Sequence, residues 1–261
     1  MLGPESGKVD QYWNQIEPLF GQRIEHAATI FRILRALQDA CFGQRLQAIG
    51  QNVGGDPFSR FLELREAPLA LKLKGLDYET VAFDGFEDRE AVIEVSGQPL
   101  TPVLLDGERS IYDSFAILRY LDANFPGPRL YSADRAEQQK IQEWERFGYQ
   151  LGGPLGMVAG QAFSGEIDDQ ATAEAQALWD SVPQPLEDAL AGSPYLMGDA
   201  PTAADLSLAP FLRYTVSNPE DFPEGSPVRF VAERLRLGAH FPNTLAWIER
   251  VMALDQETVA S

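Results

Sequence analysis

The stretch GQPLTPVLLDGERSIYDSFAILRYLDANFPG, from Gly97 to Gly127, constrains the fold more than any other part of the chain. Two short runs, PVLLD and RSIYD, flank Asp106-Gly107, with Glu108 completing the turn, which is the composition of a tight β-hairpin. From Ser114 the spacing becomes helical, with Phe115, Ile117, Leu118 and Leu121 turned inward as far as Asn124. A hairpin that hands the chain straight to an amphipathic helix needs a sheet for its strands and a layer for its helix to cover. FPGPRLYS, with two prolines and a glycine, then reads as a linker.

Upstream of the hairpin, residues 10–50 read as helical, because Phe20, Ile24, Ala27, Phe31, Leu34, Leu37 and Cys41 recur at three- and four-residue spacing. GQNVGGDPF (50–58) breaks that pattern. A second helical stretch follows from Phe58 to Lys74, with Pro68 kinking it or marking a late start. LDYETVAF (76–83) has strand composition, and GFEDREAVIEV (85–95) is a short helix or loop. Downstream of the linker, residues 134–163, 168–191, 202–216, 226–237 and 242–254 all read as helical, separated by Gly/Pro breaks. The order predicts a small α/β domain followed by an all-α domain.

Bulk properties narrow the function. A formal net charge of -18 disfavours nonspecific binding to nucleic acid or an anionic membrane. No run approaches the roughly 18 apolar residues of a membrane span. The N-terminus does not have the basic-then-apolar order of a signal peptide. One cysteine excludes an internal disulfide, and two histidines beside it speak against a structural zinc site. No metal is expected, and a reduced, cytoplasmic setting is.

The junction Asp113-Ser114 raises the chemical question. Aspartate or serine at a helix start commonly just caps it. A helix N-terminus also favours a carboxylate, and an adjacent acid can take an ammonium. The pair therefore either caps a helix or holds a head group that carries both charges.

Three segments, LALKLKGLDYETVAF, TPVLLDGERSIYDSFAILRYLDANFP and YLMGDAPTAADLSLAPFL, resemble hallmark segments of the cytosolic glutathione transferases, in that family's order. With FPNTLAWIERVMA near the C-terminus, the resemblance covers about residues 60–254. It implies a thioredoxin-like α/β N-terminal domain followed by an all-α C-terminal domain. The corresponding boundaries are a helical extension over 1–50 that has room for a displaced first strand, a glutathione-binding domain over 51–126 and a helical domain over 133–255.

The resemblance also implies a ligand set for glutathione. Pro102 would be cis, with the backbone of Thr101 pairing the cysteinyl part; Asp113 and Ser114 would hold the γ-glutamyl ammonium and carboxylate; Gln98 is a weaker contact. Family members more often carry Glu where Asp113 stands. Thr202 and Asp205 form a structural capping box at N-cap and N3.

The residue that would face the sulfur is not matched in register. Counting back from KLKG lands on RFLEL, with no hydroxyl or thiol. Ser59 becomes the candidate if the helix is slightly longer. Cys41 becomes the candidate if TIFRIL (29–34) is the first strand, although its place on an apolar face reads equally as core. In the helical half, Trp144, Tyr149 and Met157, in the glycine-rich WERFGYQLGGPLGMVAG, and Tyr214 are candidate pocket residues, with core packing as the competing reading.

The implied activity is that of a transferase using the glutathione thiolate as nucleophile on a small hydrophobic electrophile: conjugation, ether cleavage, dehalogenation or isomerisation, in a detoxifying enzyme that forms a homodimer. The alternatives are a non-catalytic binding or assembly module of the same fold, and a thiol–disulfide oxidoreductase, which would need a reactive Cys41.

Overall fold

The structure is a computed structural model, and it describes residues 46–51, 66–83, 89–99, 101–238 and 240–255. Strand β1 (Leu46–Gln51) is followed by helix α1 (Glu66–Leu73), β2 (Tyr78–Phe83), α2 (Arg89–Ser96), β3 (Val103–Asp106), β4 (Arg109–Tyr112) and α3 (Ser114–Asn124). The strands form one sheet in the order β2-β1-β3-β4. β1 and β2 are parallel, and the other two pairings are antiparallel.

The helical reading of 10–50 is therefore corrected at its end, where Leu46–Gln51 is a strand at the centre of the sheet. Its residues have little intrinsic β-preference; pairing on both sides holds it extended. The helical stretch foreseen from Phe58 is described from Glu66, so Pro68 falls in the first turn, where a missing N–H is tolerated. Gly107-Glu108 closes the hairpin as anticipated, with Asp106 paired to Arg109.

Alternation along β3 divides the packing. Leu104 faces α1 and α3 in the main core, with Leu69, Ala70, Ile117, Leu118 and Leu121. Val103 and Leu105 face the other way, with Val81 and with Val92 of α2. This is the period-two pattern of a sheet covered on both faces.

The second half contains α4 (Arg135–Ser164), α5 (Asp169–Ser181), α6 (Pro183–Ala189), α7 (Ala203–Val216), α8 (Pro227–Arg234) and α9 (Pro242–Ala253). Asp134 and Asp168 cap α4 and α5 with side-chain oxygens. α4 runs unbroken through Gly152-Gly153-Pro154. Close approach occurs one turn earlier, at Gly148, where an added Cβ would lie 3.2 Å from Leu208 Cδ2 of α7.

Buried acids tie the layers together. Asp122 of α3 accepts the backbone N–H of Leu130 at 2.8 Å and of Tyr131 at 3.3 Å, and pairs with Lys74 at 3.3 Å. The Lys74 ammonium also donates to the linker carbonyls of Phe125 (3.3 Å) and Pro128 (3.1 Å). The end of α1, the end of α3 and the linker thus close on one charge pair. The chain passes so near Lys74 that Gly127, at φ 108°, would place a Cβ 3.1 Å from its carbonyl oxygen.

In the helical half, Asp205 reaches back to the Thr202 N–H at 2.8 Å and accepts its hydroxyl at 3.0 Å, closing the capping box. Between the domains, Glu145 of α4 accepts the Tyr131 hydroxyl and pairs with Arg119 of α3, whose guanidinium lies over the Tyr131 ring at 5.0 Å. Burial, then the Glu145 charge, pushes the Tyr131 phenol well up, which keeps it a donor. Among the described residues no helix is long and apolar enough to cross a membrane.

Candidate functional site

Register places the candidate residues. β3 begins opposite the end of β1 (Val103 with Ile49), and β4 ends opposite the start of β3 (Tyr112 with Val103). One edge of the sheet thus gathers the close of β1, the entry to β3 and the exit from β4. Thr101-Pro102 directly precedes that entry, and Asp113-Ser114 directly follows that exit. The topology brings these four residues to a single edge.

The Thr101-Pro102 peptide is cis, with Thr101 half-buried and Pro102 buried. Asp113 is the one non-glycine residue with positive φ among those described, at φ 73° and ψ 125°. L-residues adopt such a conformation only where their surroundings hold them there, commonly at functional positions. As N-cap of α3 its Oδ1 accepts the Ala116 N–H at 3.0 Å, so the capping reading is realised. The residue nonetheless stays exposed, with half-buried Ser114 beside it at the helix N-terminus. Capping occupies one oxygen and leaves the carboxylate accessible. Gln98 is turned toward its own loop, its Nε2 donating to Ser96 Oγ at 3.0 Å.

One residue at this edge gave no signal in the sequence. Glu66 opens α1 and is 1% exposed, and its Oε2 has no hydrogen-bond partner. Burial pushes its carboxyl up to about 8, its own backbone N–H opposes this, and the Asp113 charge raises it further. In the sequence it reads as an ordinary acid in a first helical turn, a favourable place beside the helix dipole.

The sulfur-facing candidates Ser59 and Cys41 lie outside the described residues. The strand reading of 29–34 on which Cys41 depends lies outside them as well; Leu46–Gln51 is the first strand among the described residues.

The four pocket candidates do not converge. Tyr214 is buried in the core against the Phe222 ring, and Trp144 packs edge-on to Phe147. Met157 is exposed on another face of α4. Tyr149 is 69% exposed, with its ring 5.9 Å from that of Phe115 on α3. It borders an open hollow of about 270 Å³ with Phe115, Arg119, Gln142, Glu145 and Arg146. That volume is below the usual range of ligand sites, and its lining mixes two aromatic rings with four polar or charged side chains. Helical spacing on α4 separates Trp144, Tyr149 and Met157, so the structure does not bring them together. No cluster of potential metal ligands occurs among the described residues.

Comparison with known proteins agrees with the architecture. Residues 55–129 match the glutathione S-transferase N-terminal domain and residues 169–250 its C-terminal domain. Glutathione S-transferase Z2 of Arabidopsis thaliana is 30% identical over 171 residues, 59% of this chain and 74% of the relative. Glutathione S-transferase F10 of the same plant is 29% identical over 167 residues, 60% of this chain and 78% of the relative. The glutathione-bound theta-class glutathione S-transferase of Xanthomonas axonopodis pv. citri superposes with a TM-score of 0.62 at 21% identity, covering 84% of this chain and 99% of that one. These matches place the chain in the glutathione S-transferase family.

Proposed function

We propose that this chain is a glutathione-dependent transferase that directs the thiolate of glutathione at a small hydrophobic electrophile. One observation carries the reading: the conformationally constrained, exposed Asp113 sits at the start of α3, on the same sheet edge as the Thr101-cis-Pro102 backbone. Glutathione's γ-glutamyl end presents an ammonium and a carboxylate on one carbon. The ammonium suits Asp113, and the carboxylate suits the α3 N-terminus at Ser114. The Thr101 backbone, held at the entry to β3, suits pairing with the cysteinyl portion.

Glutathione supplies the nucleophile, so the protein's task is to bind, orient and stabilise the thiolate. Ser59 is the residue we assign to face the sulfur. The reaction class, whether conjugation, ether cleavage, dehalogenation or isomerisation, depends on the electrophile side, to which we assign Met157 and the segment around 216–228. A cytoplasmic setting suits a chain with one cysteine. A homodimer is part of the proposal, and the exposed Tyr149 against Phe115 is the face we assign to it.

The test combines calorimetry with glutathione and a conjugation assay using an activated aryl halide. Binding with turnover supports the enzyme, binding without turnover supports a non-catalytic binder, and no heat at all overturns the reading.

A further inference from the structure

The proposed glutathione cradle contains an acid that capping and packing leave unexplained. Glu66 lies at the N-terminus of α1 and Asp113 at that of α3; the two helices are in contact, and the Lys74–Asp122 pair joins their C-terminal ends, which leaves both starts at the other end. The Glu66 carboxyl is buried, one of its oxygens has no partner, and the Asp113 charge acts on it through space. A polar oxygen this buried without a partner is unfavourable in the free protein unless something else gains from it.

We propose that Glu66 is the second acid for the γ-glutamyl ammonium, so that Asp113 and Glu66 together receive it, and that binding releases the proton Glu66 carries in the free protein. This rests on the cradle reading above.

The physical chemistry is a like-charge pair resolved by a cation. Two carboxylates sharing one site do not both ionise readily, and the buried member keeps its proton. Several charged groups stand on the elements packed against α1: Asp113, Arg119 and Asp122 at or on α3, and Asp205 and Arg213 on α7. Asp113 is the one among them that moves Glu66. Lys74, in the turn that follows α1, is engaged by Asp122 at the opposite end of the helix from Glu66. An ammonium placed at the pair reverses the balance. The Glu66 O–H bond breaks, its electron pair stays on the carboxylate, the proton passes to buffer, and the carboxylate faces the cation. Binding and proton release are then linked.

The experiment is titration calorimetry of the full chain with S-methylglutathione, whose thioether has no proton to lose, near neutral pH in buffers of different ionisation enthalpy. Release of about one proton per site is expected. Glu66→Gln is expected to bind roughly tenfold more weakly with no proton release. An analogue lacking the amino group should release none from the unsubstituted protein. Binding with buffer-independent enthalpy overturns this inference and leaves the cradle standing. Release that persists in Glu66→Gln also overturns it. Absence of binding overturns both. The measurement on the unsubstituted chain decides the matter even if the variant does not fold.

Discussion

Oδ1 of Asp205 accepts the indole N–H of Trp247 at 2.9 Å, so the acid that caps the start of α7 also anchors the middle of α9. The same oxygen accepts the Leu196 N–H at 2.8 Å. Burial raises the Asp205 carboxyl, with the Leu196, Thr202 and Trp247 donors opposing it. Asp205→Ala should leave the buried N–H groups of Leu196 and Trp247 unpaired, at about 1–3 kcal/mol each, and the half-buried N–H of Thr202 as well. A loss of about 3 kcal/mol or more is expected in urea unfolding. Trp247→Phe, which removes one donor, should cost about 1 kcal/mol. A wild-type midpoint for the alanine variant would refute the latch.

Lys74 and Asp122 predict a second loss. Lys74→Ala leaves a buried carboxylate with two backbone donors and Arg129 at 3.8 Å. Removing one member of a buried pair costs about 3–5 kcal/mol. Because the pair joins the α/β domain to the linker, the transition should also broaden, or split into two. A sharp, unshifted transition would show that the linker holds without it.

Asp113→Asn separates capping from ligand binding. The amide keeps an oxygen for the Ala116 N–H, so stability should change by under about 1 kcal/mol. Affinity for glutathione should fall about tenfold or more, because the ammonium loses its charged partner. Unchanged affinity would reduce Asp113 to a helix cap.

Glu66 predicts a pH dependence of stability. Its folded value is raised from 4.5 to about 8, so between these limits the folded state binds more protons than the unfolded one. Its contribution is fully present below about 4.5 and is lost as pH rises toward about 8. Glu66→Gln should remove this loss, so that its Tm exceeds that of the unsubstituted chain on the alkaline side. Parallel Tm–pH curves for the two proteins would contradict it.

Ser59→Ala should slow conjugation about a hundredfold while retention on immobilised glutathione persists, since loss of one donor to a developing anion has that magnitude. Cys41→Ser should change neither. A fully active Ser59→Ala would move the search to other residues between β1 and α1.

Residue pattern alone determined the hairpin over 103–112, the helix from Ser114, the helical second half and the box at Thr202 and Asp205. Each of these is a local matter: turn chemistry at Asp106-Gly107, a 3.6-residue apolar spacing, a hydroxyl three residues before an acid. The tertiary structure decided what depends on distant partners. LQAIGQ is a strand because β2 and β3 hold it on either side. Tyr149 is exposed and Tyr214 buried because α4 and α7 turn different faces outward, which spacing alone leaves open. Glu66 is unusual only because folding removes it from water beside Asp113. Burial and through-space charge arise between segments nearly fifty residues apart, and no short window of sequence encodes them.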